Sequence, residues 1–199
     1  MKPEVYRGSI TREQFLFFEV KIIAKLILEG KTEEEIIKII IDDNLFQLPT
    51  EKSIKSIAVG CYKRIKDLNV NVLNIIAYSS AEEARQAALY ALMKYNKIVW
   101  DFMIDVIGFK YSTKDLSFDK SDVTKFLSHL QYENEDVATW SEQTINKIRS
   151  VLIKCLADSG FLNDIKSKEL NYIFISQDLL DCIRQENDEE VLPSFNYFD

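Results

Sequence analysis

The stretch that decides the fold is residues 32–68, which reads TEEEIIKIIIDDNLFQLPTEKSIKSIAVGCYKRIKDL. It opens with a capping box, in which the Thr32 hydroxyl caps a backbone N–H and Glu35 reaches back. Pro49 interrupts the helical pattern, because the residue before a proline is biased away from helix. Thr50 then begins a second amphipathic stretch. The segment predicts two helices joined by a short turn, about residues 32–43 and 50–68, as in a helix-turn-helix unit.

The same signals continue on both sides of this segment and predict an all-α protein with about seven to eight helices. Five Gly and three Pro are few for 199 residues, and sheet-rich proteins need many tight turns. Residues 109–119 read as a connector, and residues 171–176 read as one short strand or hairpin. The remaining predicted helices cover about residues 11–28, opened by the capping box Thr11-Arg12-Glu13-Gln14, and then 80–108, 119–130, 136 or 141 to 158, and 177–185.

The chain carries 47% hydrophobic residues, enough to build a sizeable core. No internal repeat and no low-complexity linker divides it. We expect an N-terminal helical subdomain, a C-terminal helical subdomain and an acidic, aromatic tail that either docks onto a partner or packs on its own core. These units cover residues 1–70, 71–185 and 186–199.

Apolar runs in the sequence are far shorter than the roughly 20 residues that span a bilayer, and the N-terminus has no signal-peptide pattern. Cys61, Cys155 and Cys182 are odd in number and widely spaced, without a CxxC motif. Buried thiols in a reducing compartment explain them best. The expected location is therefore the cytoplasm, without a membrane partner.

Residues for catalysis are scarce. His129 is the only histidine, so zinc sites with several histidines are excluded, and a Ser/His/Asp triad would have only this one imidazole as its base. The five glycines are far apart, whereas phosphate-cradling loops need clustered glycines. Glu19-Val20-Lys21 matches a nuclease element that belongs on a strand, but here it falls in a predicted helix. We therefore expect no enzyme, no metal, no cofactor and no small-molecule substrate.

The charge of the chain is uneven. Residues 1–100 hold 15 Lys and Arg against 13 Asp and Glu, a net charge of +2, whereas the remaining residues hold 10 against 19, a net charge of −9. A polyanion-binding surface is therefore expected in the N-terminal half. At about 100° per residue, one face of the 50–68 helix is apolar and the opposite face is cationic. The cationic face carries Lys52, Lys55, Ser56, Lys63 and Lys66, and Arg64 flanks it.

Two alternatives stay open at this point. Lysine-rich faces are common on helices that only face solvent, so the cationic stripe suggests DNA contact without proving it. A second candidate surface follows Ser141, where a helix, Gly160 and the predicted strand give the order of a winged helix. An ordinary helix packed on the core is the simpler reading there, because the surrounding charge is negative. The secondary contact residues would be Gln143, Lys147 and Lys154.

A further pattern of order and spacing runs through most of the chain. It comprises residues 28–36, residues 43–47, Thr50, Ser53, Arg64-Ile65, Trp140, Thr144, Lys147 and residues 156–162. In this pattern the sequence resembles the BrxA family of bacterial BREX (bacteriophage exclusion) systems. The resemblance implies a NusB-like helical fold, double-stranded DNA binding, and action beside the methyltransferase and ATPase components of the system. Carried onto this chain, it implies the DNA-facing residues Lys52, Ser53, Lys55, Ser56, Lys63, Arg64 and Lys66.

The leading hypothesis is a non-enzymatic DNA-binding accessory protein in phage defence. A protein–protein adaptor that works without DNA contact is the first alternative. RNA binding in the manner of NusB is the second, and it rests on fold analogy alone.

Overall fold

A computed structural model describes residues 3–11 and 14–198 and confirms an all-α fold, with more helices than the sequence predicted. In the described residues no strands pair into a sheet. The helices are α1 (Phe17–Leu28), α2 (Glu33–Asp42), α3 (Glu51–Ile65), α4 (Val70–Tyr78), α5 (Ala81–Tyr95), α6 (Lys97–Phe102), α7 (Phe109–Ser112), α8 (Lys120–Glu133), α9 (Glu135–Ala138), α10 (Glu142–Asp158) and α11 (Gln177–Gln185), with 3-10 segments at Gly8–Thr11 and Glu189–Phe195 and a π-helix at Met103–Gly108.

The helices α2 and α3 begin where the caps predict. The Thr32 hydroxyl accepts from the Glu35 amide, and the Thr50 hydroxyl accepts from the Ser53 amide. Between them, the side chain of Asn44 bonds both backbone groups of Leu48 and holds a loop over residues 43–50. That loop is longer than the three or four residues of a helix-turn-helix turn. The two helices pack on each other, but a helix-turn-helix unit is not confirmed.

The first helix begins at Phe17, so its predicted start at Thr11 is wrong. Leu16, directly before the helix, has a left-handed backbone with φ of 50°, which breaks the helical path. Thr11 lies instead in the 3-10 segment, where its hydroxyl donates to the Gly8 carbonyl. Arg12 and Glu13 of the proposed capping box lie outside the described residues.

The predicted helix over residues 80–108 is divided, and Gly108 does not end it. Its start is confirmed by the Ser80 capping box, but Asn96 leaves the helix after α5 and its side chain caps α6. The π-helix Met103–Gly108 follows and runs directly into α7. The predicted connector at 109–119 therefore begins as a helix.

The π-helix accommodates the C-terminal segment of the chain. The Ser194 hydroxyl donates to the carbonyl of Met103 at 2.8 Å. A Cβ atom on Gly108 would lie 3.3 Å from the backbone nitrogen of Ser194, so the absence of a side chain permits this close approach. The segment Glu189–Phe195 thereby packs against the middle of the chain.

The acidic tail packs on the protein's own core through its apolar residues, in agreement with one of the two predictions for it. Val191, Leu192 and Phe195 are buried. Lys94 pairs with Asp188 at 2.7 Å and with Glu186 at 2.9 Å. One cluster of buried side chains extends from Ile10 to Phe195. The division into subdomains at residue 70 stays a prediction.

The C-terminal helices match their predicted starts, but the strand at 171–176 is wrong. These residues form neither strand nor helix, and side chains from elsewhere in the protein donate hydrogen bonds to two of their backbone carbonyls. The Tyr111 hydroxyl donates to the carbonyl of Asn171, and the Gln86 amide donates to that of Phe174. The described chain contains one isolated β-bridge, between Ser117 and Glu169. The helix predicted from 136 or 141 is two helices, α9 and α10, with Ser141 capping the second.

Among residues 3–11 and 14–198, no helix is both long enough and apolar enough to cross a membrane. All three cysteines are buried, as predicted. Burial raises the pKa of the Cys155 thiol to about 12, which keeps it in the unreactive protonated form near neutral pH.

Two glycine substitutions test this packing. Gly60 lies inside α3, and no atom lies within 4 Å of the place that a Cβ atom would take. Gly60→Ala should therefore raise the free energy of unfolding by about 0.5–1 kcal/mol through its higher helix propensity. Gly108→Leu should lower it by about 1–3 kcal/mol, because the side chain meets Ser194. Urea denaturation followed by circular dichroism measures both. Equal stability of Gly108→Leu and the wild type would contradict the close approach.

Candidate nucleic-acid interface

Helix α3 separates its apolar and cationic residues cleanly. Ile54, Ala58, Cys61 and Ile65 are buried, and the helix packs against α1 and α2. The opposite face points to solvent. The sequence therefore predicted correctly which face of this helix is anchored.

The four lysines of the opposite face, Lys52, Lys55, Lys63 and Lys66, are all exposed, and we call them the α3 lysine strip. Lys66 lies 3.8 Å from the carboxylate of Asp67, which is itself 86% exposed. The other three make no ion pair with any residue that the structure describes. A pair between exposed groups at this distance holds the Lys66 ammonium weakly. The strip is therefore available to an anionic partner.

The strip consists of two lysine pairs. At about 1.5 Å per residue, Lys55 and Lys63 are separated by about 12 Å along the helix axis. The major groove of B-DNA is about 12 Å wide, a similar length. Ser56 and Val59 lie between the pairs on the same face, where they would meet the groove itself.

Ser53 and Ser56 are both exposed, but they differ in their bonding. The Ser53 hydroxyl oxygen accepts a hydrogen bond from the Thr50 hydroxyl at 2.8 Å, so it takes part in the helix cap. Ser56 makes no hydrogen bond through its side chain to a described residue. Of the two hydroxyls, that of Ser56 is the more available.

Arg64, one of the predicted DNA-facing residues, is buried and does not share the exposed face of the four lysines. Its side chain is only 4% exposed. Its guanidinium donates to the carbonyl of Phe15 at 2.7 Å and to the carbonyl of Gln14 at 2.8 Å. Both carbonyls lie in the segment directly before α1. Arg64 thus fastens α3 to the start of α1, and it is a structural residue.

The second predicted surface is present only in part. Gln143 and Lys147 are exposed on α10, beside the carboxylate of Glu142. Lys154 is exposed and donates to the side-chain oxygen of Gln14 at 3.2 Å. The strand that would complete a winged helix is missing, as described above. The contact of these three residues with nucleic acid stays a prediction.

His129 is exposed and lies 3.3 Å from the carboxylate of Glu133, one helical turn further along α8. Nowhere in the described chain do three or more His, Cys, Asp or Glu side chains converge as metal ligands would. The absence of catalysis stays an expectation.

Sequence reasoning missed a second group of cations that lie against aromatic rings. Lys25 on α1 lies 6.0 Å from the ring centroid of Tyr78 on α4, and Arg85 on α5 lies 5.5 Å from that of Phe17. The members come from three helices, so no linear spacing could reveal the group. Glu19 on α1 lines the same surface pocket as Arg85, which makes this group a weaker site for a polyanion than the α3 lysine strip.

Comparison with known proteins gives one family. Residues 4–187 match the BrxA family model. The chain is 29% identical to the BREX protein BrxA of Bacillus cereus strain H3081.97, over 94% of each chain. It is 22% identical to the BREX protein BrxA of Paramagnetospirillum magneticum, again over 94% of each, and 22% identical to that of Escherichia coli O9:H4 strain HS, over 84% of this chain and 79% of the other.

The fold also matches a solved structure. An uncharacterized protein from Magnetospirillum magneticum superposes with a TM-score of 0.80, covering 96% of this chain and 97% of the other at 22% identity. This likeness supports the arrangement of helices described above.

Arg64 and Lys63 provide a matched test of the site. Arg64→Met keeps the length of the side chain but leaves two backbone carbonyls without their donor, so the free energy of unfolding should fall by about 2–4 kcal/mol. Lys63→Met removes an exposed charge one residue away and should leave stability unchanged. Urea denaturation compares the two. A stable Arg64→Met protein that has lost DNA affinity would return Arg64 to the interface.

Proposed function

The chain belongs to the BrxA family, and on that premise we propose that it is a non-enzymatic accessory protein of a BREX phage-defence system that binds double-stranded DNA. Relatives over nearly the whole chain carry the name BREX protein BrxA, which supports the role in BREX. The DNA contact is argued from the site itself.

The observation that carries the DNA contact is the α3 lysine strip. Its ammonium groups are exposed, and they stand opposite the buried face that anchors the helix. Lysines that neutralise phosphates release condensed counterions, which makes binding favourable and sensitive to salt. The strip supplies about two to four such contacts, so one chain alone should bind with modest affinity.

The distribution of charge supports a protein that carries partners to DNA. The residues after 100 hold a net charge of −9 and repel the phosphate backbone, so that half of the chain is available to other components of the system. The methyltransferase and ATPase components are the partners we propose.

The second candidate function is an adaptor that makes no DNA contact. The acidic C-terminal half favours it, because such a surface suits a basic protein partner. Under this alternative the α3 lysine strip would only face solvent. Pull-down of a partner after nuclease treatment separates the two, since an adaptor keeps its partner when nucleic acid is gone.

Charge reversal tests the proposed DNA contact. Replacing Lys52, Lys55, Lys63 and Lys66 by Glu should abolish binding to duplex DNA in a gel-shift titration, because the strip would then repel phosphates. For the wild type, the logarithm of the binding constant should fall with the logarithm of the salt concentration with a slope of about −2 to −4, because each phosphate contact contributes about −0.9. Helical circular dichroism should be unchanged.

The matched control reverses four exposed lysines elsewhere, Lys114, Lys120, Lys125 and Lys166, with the same change in net charge. This control should retain most of the DNA affinity. Equal losses in the two variants would show that net charge alone matters, and unchanged affinity in the α3 variant would remove the strip from the function.

A further inference from the structure

A groove of about 510 Å³ lies between α8, α10 and the loop that follows α10. Its lining is cationic and apolar, and it consists of Lys120, Arg149, Ser150, Ile153, Lys154 and Ile165. None of these lining residues is acidic, although the residues after 100 hold a net charge of −9. Positive charge concentrated in a concave site attracts an anionic ligand.

Arg149 is held in position between the two helices. Its guanidinium donates to the Thr124 hydroxyl of α8 at 3.3 Å and to the side-chain oxygen of Asn146 of α10 at 2.8 Å. Both acceptors are neutral, so these bonds position the guanidinium without compensating its charge. Because a guanidinium has several N–H donors in a rigid fork, further donors remain for a carboxylate.

The two lysines of the groove have no acidic partner in the described part of the chain. Lys120 is exposed and makes no ion pair there. Lys154 donates to the neutral side-chain oxygen of Gln14 at 3.2 Å. The carboxylate of Asp119, directly before Lys120 in the chain, pairs with Lys168 instead. The positive charge of the groove is therefore available to a ligand.

An apolar side chain is exposed in the same groove. Ile165 is 53% exposed, and Ile153 of α10 lines the groove with it. Backbone hydrogen bonds join the loop that carries Ile165 to the segment directly before α8, as between the Phe118 amide and the Lys168 carbonyl at 2.8 Å. An apolar side chain that is held in water beside fixed charges is typical of a docking surface.

We propose that this groove docks a short acidic segment of a partner protein. One carboxylate of the segment binds the Arg149 guanidinium, and a second lies beside Lys120. An apolar side chain of the segment packs on Ile165. The interaction gives the accessory role a defined partner surface, and it does not depend on DNA contact at the α3 lysine strip.

A short segment fits this groove better than a long polyanion does. Charges are screened beyond about 8 Å at physiological ionic strength, so a ligand confined to the groove responds mainly to its cations. A duplex extends beyond the groove and meets exposed carboxylates such as Asp158 and Asp164. Its surface of phosphates and sugars would also leave Ile165 without an apolar partner.

The direct test uses a fluorescein-labelled peptide with glutamates on both sides of a central leucine. A matched peptide carries lysine in place of glutamate. Fluorescence polarisation with the full chain should show binding of the glutamate peptide and at least about tenfold weaker binding of the lysine peptide. Absence of binding by the glutamate peptide at low salt overturns the proposal.

Two pairs of neutral substitutions locate the charged contacts. Arg149→Gln combined with Lys120→Gln should weaken the glutamate peptide at least about tenfold and reduce its salt dependence, because two attracting charges are lost. Lys31→Gln combined with Lys114→Gln makes the same change in net charge at exposed positions outside the groove and should have little effect. Helical circular dichroism should be unchanged in both. An equal effect of the two pairs contradicts the proposal.

The apolar contact is tested separately. Ile165→Ser should weaken the glutamate peptide at least about fivefold, as expected for an apolar anchor. Val70→Ser removes a β-branched side chain that is 57% exposed at the start of α4, and it should leave the affinity unchanged. If Ile165→Ser binds as tightly as the wild type, the peptide is held by general charge attraction, and the proposed site is wrong.

Nucleic acid and a second copy of this chain are the other possible occupants. In the variant with the reversed α3 lysine strip, duplex DNA should not displace the peptide; displacement would assign the groove to nucleic acid and overturn the proposal. Sedimentation should show the same mass for the wild type and the Arg149 and Lys120 variant. A dimer that this variant dissociates would put a second copy in the groove and likewise overturn it.

The groove variants should all keep the duplex DNA affinity of the wild type. A failed peptide experiment with intact DNA binding therefore rejects the docking groove and leaves the proposed function in place.

Discussion

The structure depends most on a buried arginine that ties two helices together. Arg64 donates to two backbone carbonyls directly before α1. Together with the buried apolar residues of α3, these hydrogen bonds fix which face of the helix packs against the protein. A guanidinium can bridge two carbonyls because its donors form a rigid fork. Because that side of α3 is buried, the lysines on the opposite side are exposed to solvent. The availability of the α3 lysine strip therefore follows from a residue that does not itself belong to it.

The C-terminal segment imposes a second constraint. It binds the opening of the π-helix through Ser194, and Lys94 holds the acidic residues before it. The π-helix is thereby held from the side of the C-terminal segment. The cationic helix α3 and the acidic C-terminal half are thus different parts of one packed chain, with opposite charge preferences. This separation suits a protein that contacts DNA with one surface and a partner with another.

Much of the fold could be predicted because caps and apolar periodicity are local signals. Thr32, Thr50 and Ser80 each begin a helix where their hydroxyl can accept a backbone N–H, and the buried face of α3 follows from spacing alone. The role of Arg64 could not be predicted, since its partners are about fifty residues away and are backbone atoms. The start of α1 and the π-helix were missed for related reasons. A left-handed leucine and a close approach to Ser194 are both set by tertiary packing.

The most direct test of the central claim is lysine footprinting. Acetylation of the folded protein by an amine-reactive ester, read by mass spectrometry, reports how accessible each ammonium group is with and without duplex DNA. The account predicts rapid labelling of Lys52, Lys55, Lys63 and Lys66 in the free protein and protection of these four by DNA, while Lys114 and Lys120 label equally in both states. Slow labelling of the strip in the free protein, or protection confined to other lysines, would contradict it.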